Sequence, residues 1–447
     1  MKTYDKRIGF LVSYQTLVPH GGIGQFTKSF IELMAANNIK VDIITDKQPK
    51  DSEFIKSLGA NIICPTESLK YTDHSSIFMY GDSFCYERMA NFRSAIIEAL
   101  ELNLYDAFIC NTYETVQVAS TMNLDDCIQV IAYTHLESQI FKDTKNPFLH
   151  SVNQMMRLQL EMDNIYIGTQ SKFNQLSISD AAFHLPIPLP EKSLLEHHNK
   201  PRDGVLFIGR WEEGKNPELY LDLIEQTKLP ARVMTNANGA KKFEERFIKM
   251  GIIDYKIAVS IIGSEKVDFI TSCRVAFNPS TVESYGIAFY EQMIQLPTFA
   301  LDNQRWTKNF NSACFSVTTK KSMAADIQDA YDKYATSESW YATENLQLFK
   351  KQEDRIFHHW KTCFSEFNSM QSNSTTAKIC EETTVKHSDF IKNLSRNIIC
   401  IDDVRSVLTN KHKFRVIYTD ADTYLTRDPS FEPAAEENTG LGLFEGF

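Results

Sequence analysis

The residues in this sequence that could do chemistry are few, and most of them suit a phosphate-bearing ligand. Glu283 and Glu291 stand with seven residues between them in the stretch NPSTVESYGIAFYEQM, residues 278–293. The apolar run at 273–277 reads as a buried strand that breaks at Asn278-Pro279-Ser280, a turn signal, and gives way to a helical pattern. A strand therefore delivers a loop and a helix N-terminus whose unpaired N–H groups attract anions, and both carboxylates can face one cleft beside it. The same spacing also describes a surface helix with two solvated glutamates. Arg210 and Lys215 lie in the turn RWEEGKNP, between an expected strand at 204–209 and an expected helix at 218–226. An arginine that bonds in bidentate fashion and a lysine that acts as a point charge suit a diphosphate. With Glu212 and Glu213 between them, the turn reads equally as a solvated charged loop.

Positioning these groups requires a sheet. Residues 7–14 read as a buried strand, followed by the loop Pro19-His20-Gly21-Gly22-Ile23-Gly24, an amphipathic helix at 26–36 and a second strand at 40–45, a βαβ opening. A dinucleotide fingerprint is excluded, because the third glycine of G-x-G-x-x-G is replaced by Thr27 and the loop before Gly22 is too long for that tight turn. Further strands are expected at 60–64, 107–110, 127–133 and 164–169, with a helix at 95–102. This alternation implies a parallel, doubly wound sheet whose ligands lie beyond the C-terminal strand ends. Asn111-Thr112-Tyr113-Glu114 and Thr134-His135 fall there. His135 closes the apolar run IQVIAYTH, where a histidine is often structural. A proline-rich exit, LPIPLP at 185–190, leads into a linker at 189–201. A second sheet follows, with strands at 204–209, 231–235, 259–262, 273–277 and 297–301, a loop at 236–239, and a long helix at 337–367.

Pro279-Ser280, Glu283-Ser284-Tyr285-Gly286 and Glu291 resemble, in order and spacing, the P-S-x-x-E-G-F-G-x-x-x-x-E signature of family 4 retaining glycosyltransferases. Ser284 stands where that family usually has Gly, and Tyr285 where it has Phe. Gly209-Arg210 and Lys215 match the family's G-R-x-x-x-x-K-G loop, with Asn216 in place of the last Gly, and the two motifs lie about seventy residues apart, as in the family. The resemblance covers residues 6–367 and implies an α/β GT-B fold: two Rossmann-like, doubly wound domains facing a cleft. The first, an acceptor domain, would span residues 1–190, and the second, a donor domain, residues 201–345. A helix at 346–367 would cross back to the first domain. By the same resemblance Gly22 and Gly24 let backbone approach the donor diphosphate, Arg210 and Lys215 stabilise it, and His135 and Glu283 contact the transferred sugar. Ser284, Tyr285 and Gly286 line the donor site, and Glu291 holds the ribose. The implied reaction moves a sugar from a UDP-linked donor to a hydroxyl with retention. No protein nucleophile is assigned and no metal or cofactor is expected; the leaving diphosphate meets only side-chain cations and helix N-termini.

The whole composition bounds these expectations. The chain has 447 residues, 43% of them hydrophobic, enough for two or three cores. Nine cysteines lie scattered singly without C-x-x-C spacing, which points to reduced thiols and against a zinc site. A net charge of −10 argues against a nucleic-acid-coated protein but not against a local basic face. The start Met1-Lys2-Thr3-Tyr4-Asp5 lacks an apolar signal region, and the sequence has no run long enough to span a bilayer, so a cytoplasmic location is expected.

Beyond residue 367 the family pattern ends. Residues 368–384 are Ser/Thr/Asn-rich, a linker. Helical patterns at 388–394 and 402–408, then strands at 413–419 and 423–426, describe a small α+β appendage at 386–427, with eight Lys/Arg against five Asp. Asp420-Ala421-Asp422 reads as its turn. The acidic tail at 428–447 ends in LGLFEGF, and Leu441, Leu443, Phe444 and Phe447 resemble the apolar peptides by which T-even phage proteins grip a sliding clamp. Since such phages also glycosylate 5-hydroxymethylcytosine, the resemblance extends to double-stranded modified DNA as acceptor, at 5-hydroxymethylcytosine or its glycosylated form, in the host cytoplasm. A transferase building surface glycans or lipid-linked saccharides is the alternative within the family. A non-catalytic adaptor that binds a clamp or a nucleotide-sugar is the alternative outside it.

Overall fold

Short apolar runs alternating with amphipathic helices build two parallel sheets. A computed structural model describes residues 6–19, 21–49, 56, 59–70, 86–111, 113–120, 122, 124, 128–134, 165–170, 183–283, 285–302, 304–334 and 338–371. The first sheet contains β1 (Lys6–Leu11), β2 (Ile39–Ile44), β3 (Asn61–Ile63), β4 (Ala107–Cys110), β5 (Gln129–Thr134), β6 (Ile165–Thr169) and β7 (Phe183–His184), in the order β3-β2-β1-β4-β5-β6-β7. Helices α1 (Gly22–Ala36), α2 (Tyr86–Leu102) and α3 (Tyr113–Ser120) connect them. β1 pairs in parallel with β2 and β4, so the winding reverses between β1 and β4. A crevice for ligands opens at such a switch point.

The second sheet repeats this logic. It contains β8 (Val205–Ile208), β9 (Ala231–Thr235), β10 (Tyr255–Val259), β11 (Val275–Asn278), β12 (Thr298–Leu301) and β13 (Ser316–Thr318), ordered β10-β9-β8-β11-β12-β13. Its helices are α4 (Pro217–Thr227), α5 (Ala237–Lys249), α6 (Gly263–Thr271), α7 (Ile287–Gln295) and α8 (Met323–Tyr334). Here the winding reverses between β8 and β11. The expected α/β architecture of two doubly wound sheets is therefore present.

One helix joins the two halves. α9 (Glu338–Gln371) is 34 residues long, about 50 Å at 1.5 Å per residue. Phe349 on it packs edge-on against Tyr290 of α7, while Trp360, fully buried, lies against Phe30 of α1 and Tyr133 of β5 and donates its indole N–H to the Pro186 carbonyl. Between these contacts the Glu353 carboxylate accepts bonds from Leu189 N and the Tyr290 hydroxyl. The segment between the sheets belongs with the second one: the Gln295 amide of α7 donates to the Leu194 and Glu196 carbonyls, and Arg202 donates to the Gln295 carbonyl.

Several element boundaries differ from the sequence expectation for local reasons. The strand expected at 7–14 stops at Leu11, because Tyr14 begins a 3-10 turn whose backbone N–H is taken by Asp46. α1 starts at Gly22, four residues earlier than expected, so Gly22 and Gly24 lie in its first turn. The loop expected at 236–239 is the N-terminus of α5, with the Asn236 side chain capping Gly239 N. The strand expected at 259–262 is instead β10, which ends at Val259 because Ser260 takes a left-handed φ of 50°. The appendage expected at 386–427 and the tail at 428–447 lie outside the described residues, as do Leu441, Leu443, Phe444 and Phe447.

Candidate functional site

Two loops meet at the β8/β11 switch point. The first leaves β8 through Gly209 and Arg210 and makes a 3-10 turn, Glu213–Lys215. Asn216 then takes a left-handed φ of 52° before Pro217 starts α4. Asparagine tolerates that region better than other non-glycine residues, so it can stand where the resemblance expects Gly. The second loop leaves β11 after Asn278. Thr281 N donates to the Gly214 carbonyl at 2.9 Å, which stitches the loops together, and Trp306 Nε1 holds the Ser280 carbonyl at 3.1 Å.

This stitching brings together residues far apart in sequence. Lys215 Nζ lies 2.6 Å from Glu283 Oε1, the two side chains 23% and 10% exposed. Arg210 sits at the rim, 65% exposed, and its guanidinium reaches Glu212 at 3.1 Å. The expected diphosphate cations thus differ in kind. Lys215 is half-sheltered and already paired, while Arg210 is largely solvated, with an ion pair of the sort that contributes little.

α7 begins at Ile287, directly after Gly286, whose left-handed φ of 85° favours glycine. Its N-cap is Gly286, which has no side chain, and among the described residues no side-chain cap is present at the α7 N-terminus. Tyr285 is buried against Tyr290 and Phe310, and burial pushes its phenol well above the usual range. Its ring is a packing residue that anchors the loop. Ser284 lies outside the described residues.

Glu291, one turn into α7, points inward. It is 1% exposed, and its Oε1 meets Lys266 Nζ of α6 at 2.6 Å. Burial raises its carboxyl above the usual range, while Lys266 pulls it down less strongly. Glu283 and Glu291 therefore belong to two separate ion pairs. Beside Glu291 a third pair links the halves: Lys28 of α1 reaches both carboxylate oxygens of Glu191 at 3.2 and 3.3 Å, and Glu191 also accepts from Gly263 N at the start of α6. Sequence reasoning missed Lys28, Glu191 and Lys266. Each is an ordinary charged residue whose meaning comes from partners on other elements.

On the opposite side, the Gly21 N–H donates to the Val18 carbonyl in the turn that feeds α1. A Cβ on Gly24 would fall 1.9 Å from that carbonyl oxygen, so glycine there is a packing requirement, whereas a Cβ on Gly22 would meet nothing within 4 Å among the described residues. Open space at Gly22 leaves its backbone approachable. Asn111, buried, follows β4 and donates its N–H to Leu11 at the β1/β4 switch point. β5 ends at Thr134, and the next residue, His135, lies outside the described residues.

The arrangement offers a paired lysine, a peripheral arginine, uncapped N–H groups at α7 and buried carboxylates, a set that can bind a diphosphate and neutral hydroxyls. Among the described residues no group of three or more His, Cys, Asp or Glu is placed to hold a metal, and no helix is long and apolar enough to cross a membrane. No protein-family model matches the sequence, and no curated protein sequence matches it. Solved structures do. HepE from Anabaena, in complex with UDP and glucose, superposes with a TM-score of 0.58 at 11% identity over 81% of this chain and 100% of that one. TarM from S. aureus gives 0.59 at 12% over 80% and 99%. Sucrose-phosphate synthase from Thermosynechococcus elongatus gives 0.55 at 13% over 82% and 98%. The fold is GT-B. In GT-B terms the Lys215–Glu283 pair and the Glu291–Lys266 pair both belong to the second sheet, and Gly22 belongs to the first.

Proposed function

We propose that this GT-B chain is a retaining glycosyltransferase that moves a sugar from a UDP-linked donor to a hydroxyl acceptor. The observation that carries the reading is the Lys215–Glu283 pair, stitched together by two loops at the β8/β11 switch point of such a fold. HepE, a structural neighbour, was solved with UDP and glucose. As the sugar's anomeric bond to the diphosphate breaks, negative charge develops on the leaving phosphate. Lys215, Arg210 and the α7 N-terminus supply preorganised positive potential there. Glu283 and His135 position the sugar, Glu291 takes the ribose hydroxyls, and backbone at Gly22 admits the phosphates. The acceptor proton passes to the leaving phosphate on the same face of the sugar, as the glycosidic bond forms.

For the acceptor we propose 5-hydroxymethylcytosine in double-stranded DNA, flipped from the duplex, with Leu441, Leu443, Phe444 and Phe447 as the clamp-binding anchors. The support is the resemblance of LGLFEGF to clamp-binding peptides. The experiment incubates the protein with a panel of UDP-sugars and hydroxymethylated or unmodified duplex, then digests the DNA and weighs the nucleosides. A hexose or pentose added only to hydroxymethylcytosine is the expected result. UDP release without DNA modification would keep the transferase and remove this acceptor; no turnover of any UDP-sugar would remove both.

A further inference from the structure

Glu291 is the residue expected to meet the ribose, yet it is 1% exposed and engaged with Lys266. Directly beside this pair, and acting on Glu291 electrostatically, stand Glu191 and Lys28. Lys28 belongs to the first half, on α1, while the segment carrying Glu191 is bonded to the second half through Gly263, Gln295 and Arg202. Among the ion pairs of the described residues, Lys28 with Glu191 is the one that ties α1 to that segment. The charges alternate from Lys28 through Glu191 to Lys266 and Glu291, and Glu191 is shared between the Lys28 ammonium and the Gly263 N–H of α6. Glu291 is 1% exposed, so a ligand that touches its carboxylate needs a movement that uncovers it.

We propose that the Lys28–Glu191 pair is a latch across the cleft that covers the Glu291–Lys266 pair and gates entry of the donor nucleotide. The proposal rests on the donor-site reading above. With the latch closed, Glu191 caps α6 and its charge is spent on Lys28, which leaves Lys266 to Glu291. With Lys28 withdrawn, α1 separates from the segment after β7, and the open form, from which nucleotide can bind, becomes more populated. If only the open form admits ligand, the association rate scales with its population. Neither Lys28 nor Glu191 need touch the nucleotide for this to hold.

The test uses the full chain without ligand and with UDP as the probe. In hydrogen exchange, Lys28→Met should speed exchange of the amides at 263–271 and 287–295, with Lys28→Arg close to wild type. In stopped-flow binding followed by tryptophan fluorescence, the same substitution should raise the UDP association rate by about fivefold or more, the lower edge of ordinary coupling between sites. Unchanged exchange overturns the latch. Faster exchange with an unchanged association rate overturns its role as a gate for nucleotide. If UDP fails to bind even the wild-type chain, the donor reading and the nucleotide gate fall together, while the exchange arm still decides the latch. Should Lys28→Met fold poorly, the double variant Lys28→Met/Glu191→Gln, which removes both charges of the pair, is measured in both arms against Glu191→Gln alone. Equal exchange and rates in those two are expected, because the latch is already open without Glu191; a further change on losing Lys28 overturns it.

Discussion

At the scale of single residues, Lys215 and Glu283 neutralise one another at 2.6 Å, so on the proposed donor reading a diphosphate competes with a carboxylate for the same ammonium. Removing the lysine removes the cation nearest the developing charge. Lys215→Ala should lower kcat/KM by about 10²-fold or more, the scale of losing one preorganised donor. Arg210→Ala should cost less, because its guanidinium is largely solvated; steady-state kinetics with UDP-sugar would rank the two. Glu283→Gln frees the lysine while weakening any grip on the sugar. The expected result is UDP binding no weaker than wild type in calorimetry, with kcat reduced about tenfold or more. Weaker UDP binding in that variant would show that Glu283 holds the lysine in place instead of competing for it. The motif residues were visible in the sequence because their spacing is local to each loop. Their pairing was not, since it depends on one backbone bond from Thr281 to Gly214 across two loops.

Single elements set the tolerances around the cleft. The first turn of α1 contains both an intolerant and a tolerant glycine: Gly24→Ala drives a methyl into the Val18 carbonyl, whereas Gly22→Ala has room. Gly24→Ala should lower stability by about 1–3 kcal/mol, the range for forced overpacking. Gly22→Ala should keep its melting temperature but bind UDP more weakly, if phosphate approaches the backbone there. α9 provides a pH test. Burial raises the Glu353 carboxyl above the ordinary carboxylate range, and its hydrogen bonds with Tyr290 and Leu189 only partly offset this. A raised acid is stabilising below the ordinary carboxylate pKa, and that contribution is withdrawn as pH rises through the raised value, because the unfolded chain sheds its proton first. Glu353→Gln cannot ionise, so its deficit in melting temperature against wild type should be larger near pH 4.5 than at pH 7. Most strands were legible as apolar runs, and β9 fell where the pattern put it, but the short strands β7 and β13 were not expected and β10 was expected at 259–262. The N-terminus of α5 was misread because Asn-Ala-Asn-Gly resembles a turn until the Asn236 side chain is seen to cap it.

For the whole molecule, a ligand that binds only the folded chain raises its melting temperature in proportion to the logarithm of its concentration over Kd. UDP should do so, and EDTA should leave both that shift and sugar transfer unchanged, because the proposed phosphate contacts are side chains and backbone. A shift that vanishes with EDTA and returns with a divalent cation would contradict that picture. The separation into two sheets was readable from the proline-rich exit at 185–190, but the latch between them was not, because Lys28 and Glu191 are 163 positions apart. α9 has one more consequence, which concerns how the chain is made. Trp360 fills the core beneath Phe30 and Tyr133, residues that leave the ribosome hundreds of positions before it. The first sheet therefore lacks its largest core side chain until the second sheet has been synthesised. A nascent chain halted before residue 360 carries that apolar hollow open, and it is at this stage of synthesis, not in the finished protein, that a chaperone has the most to cover.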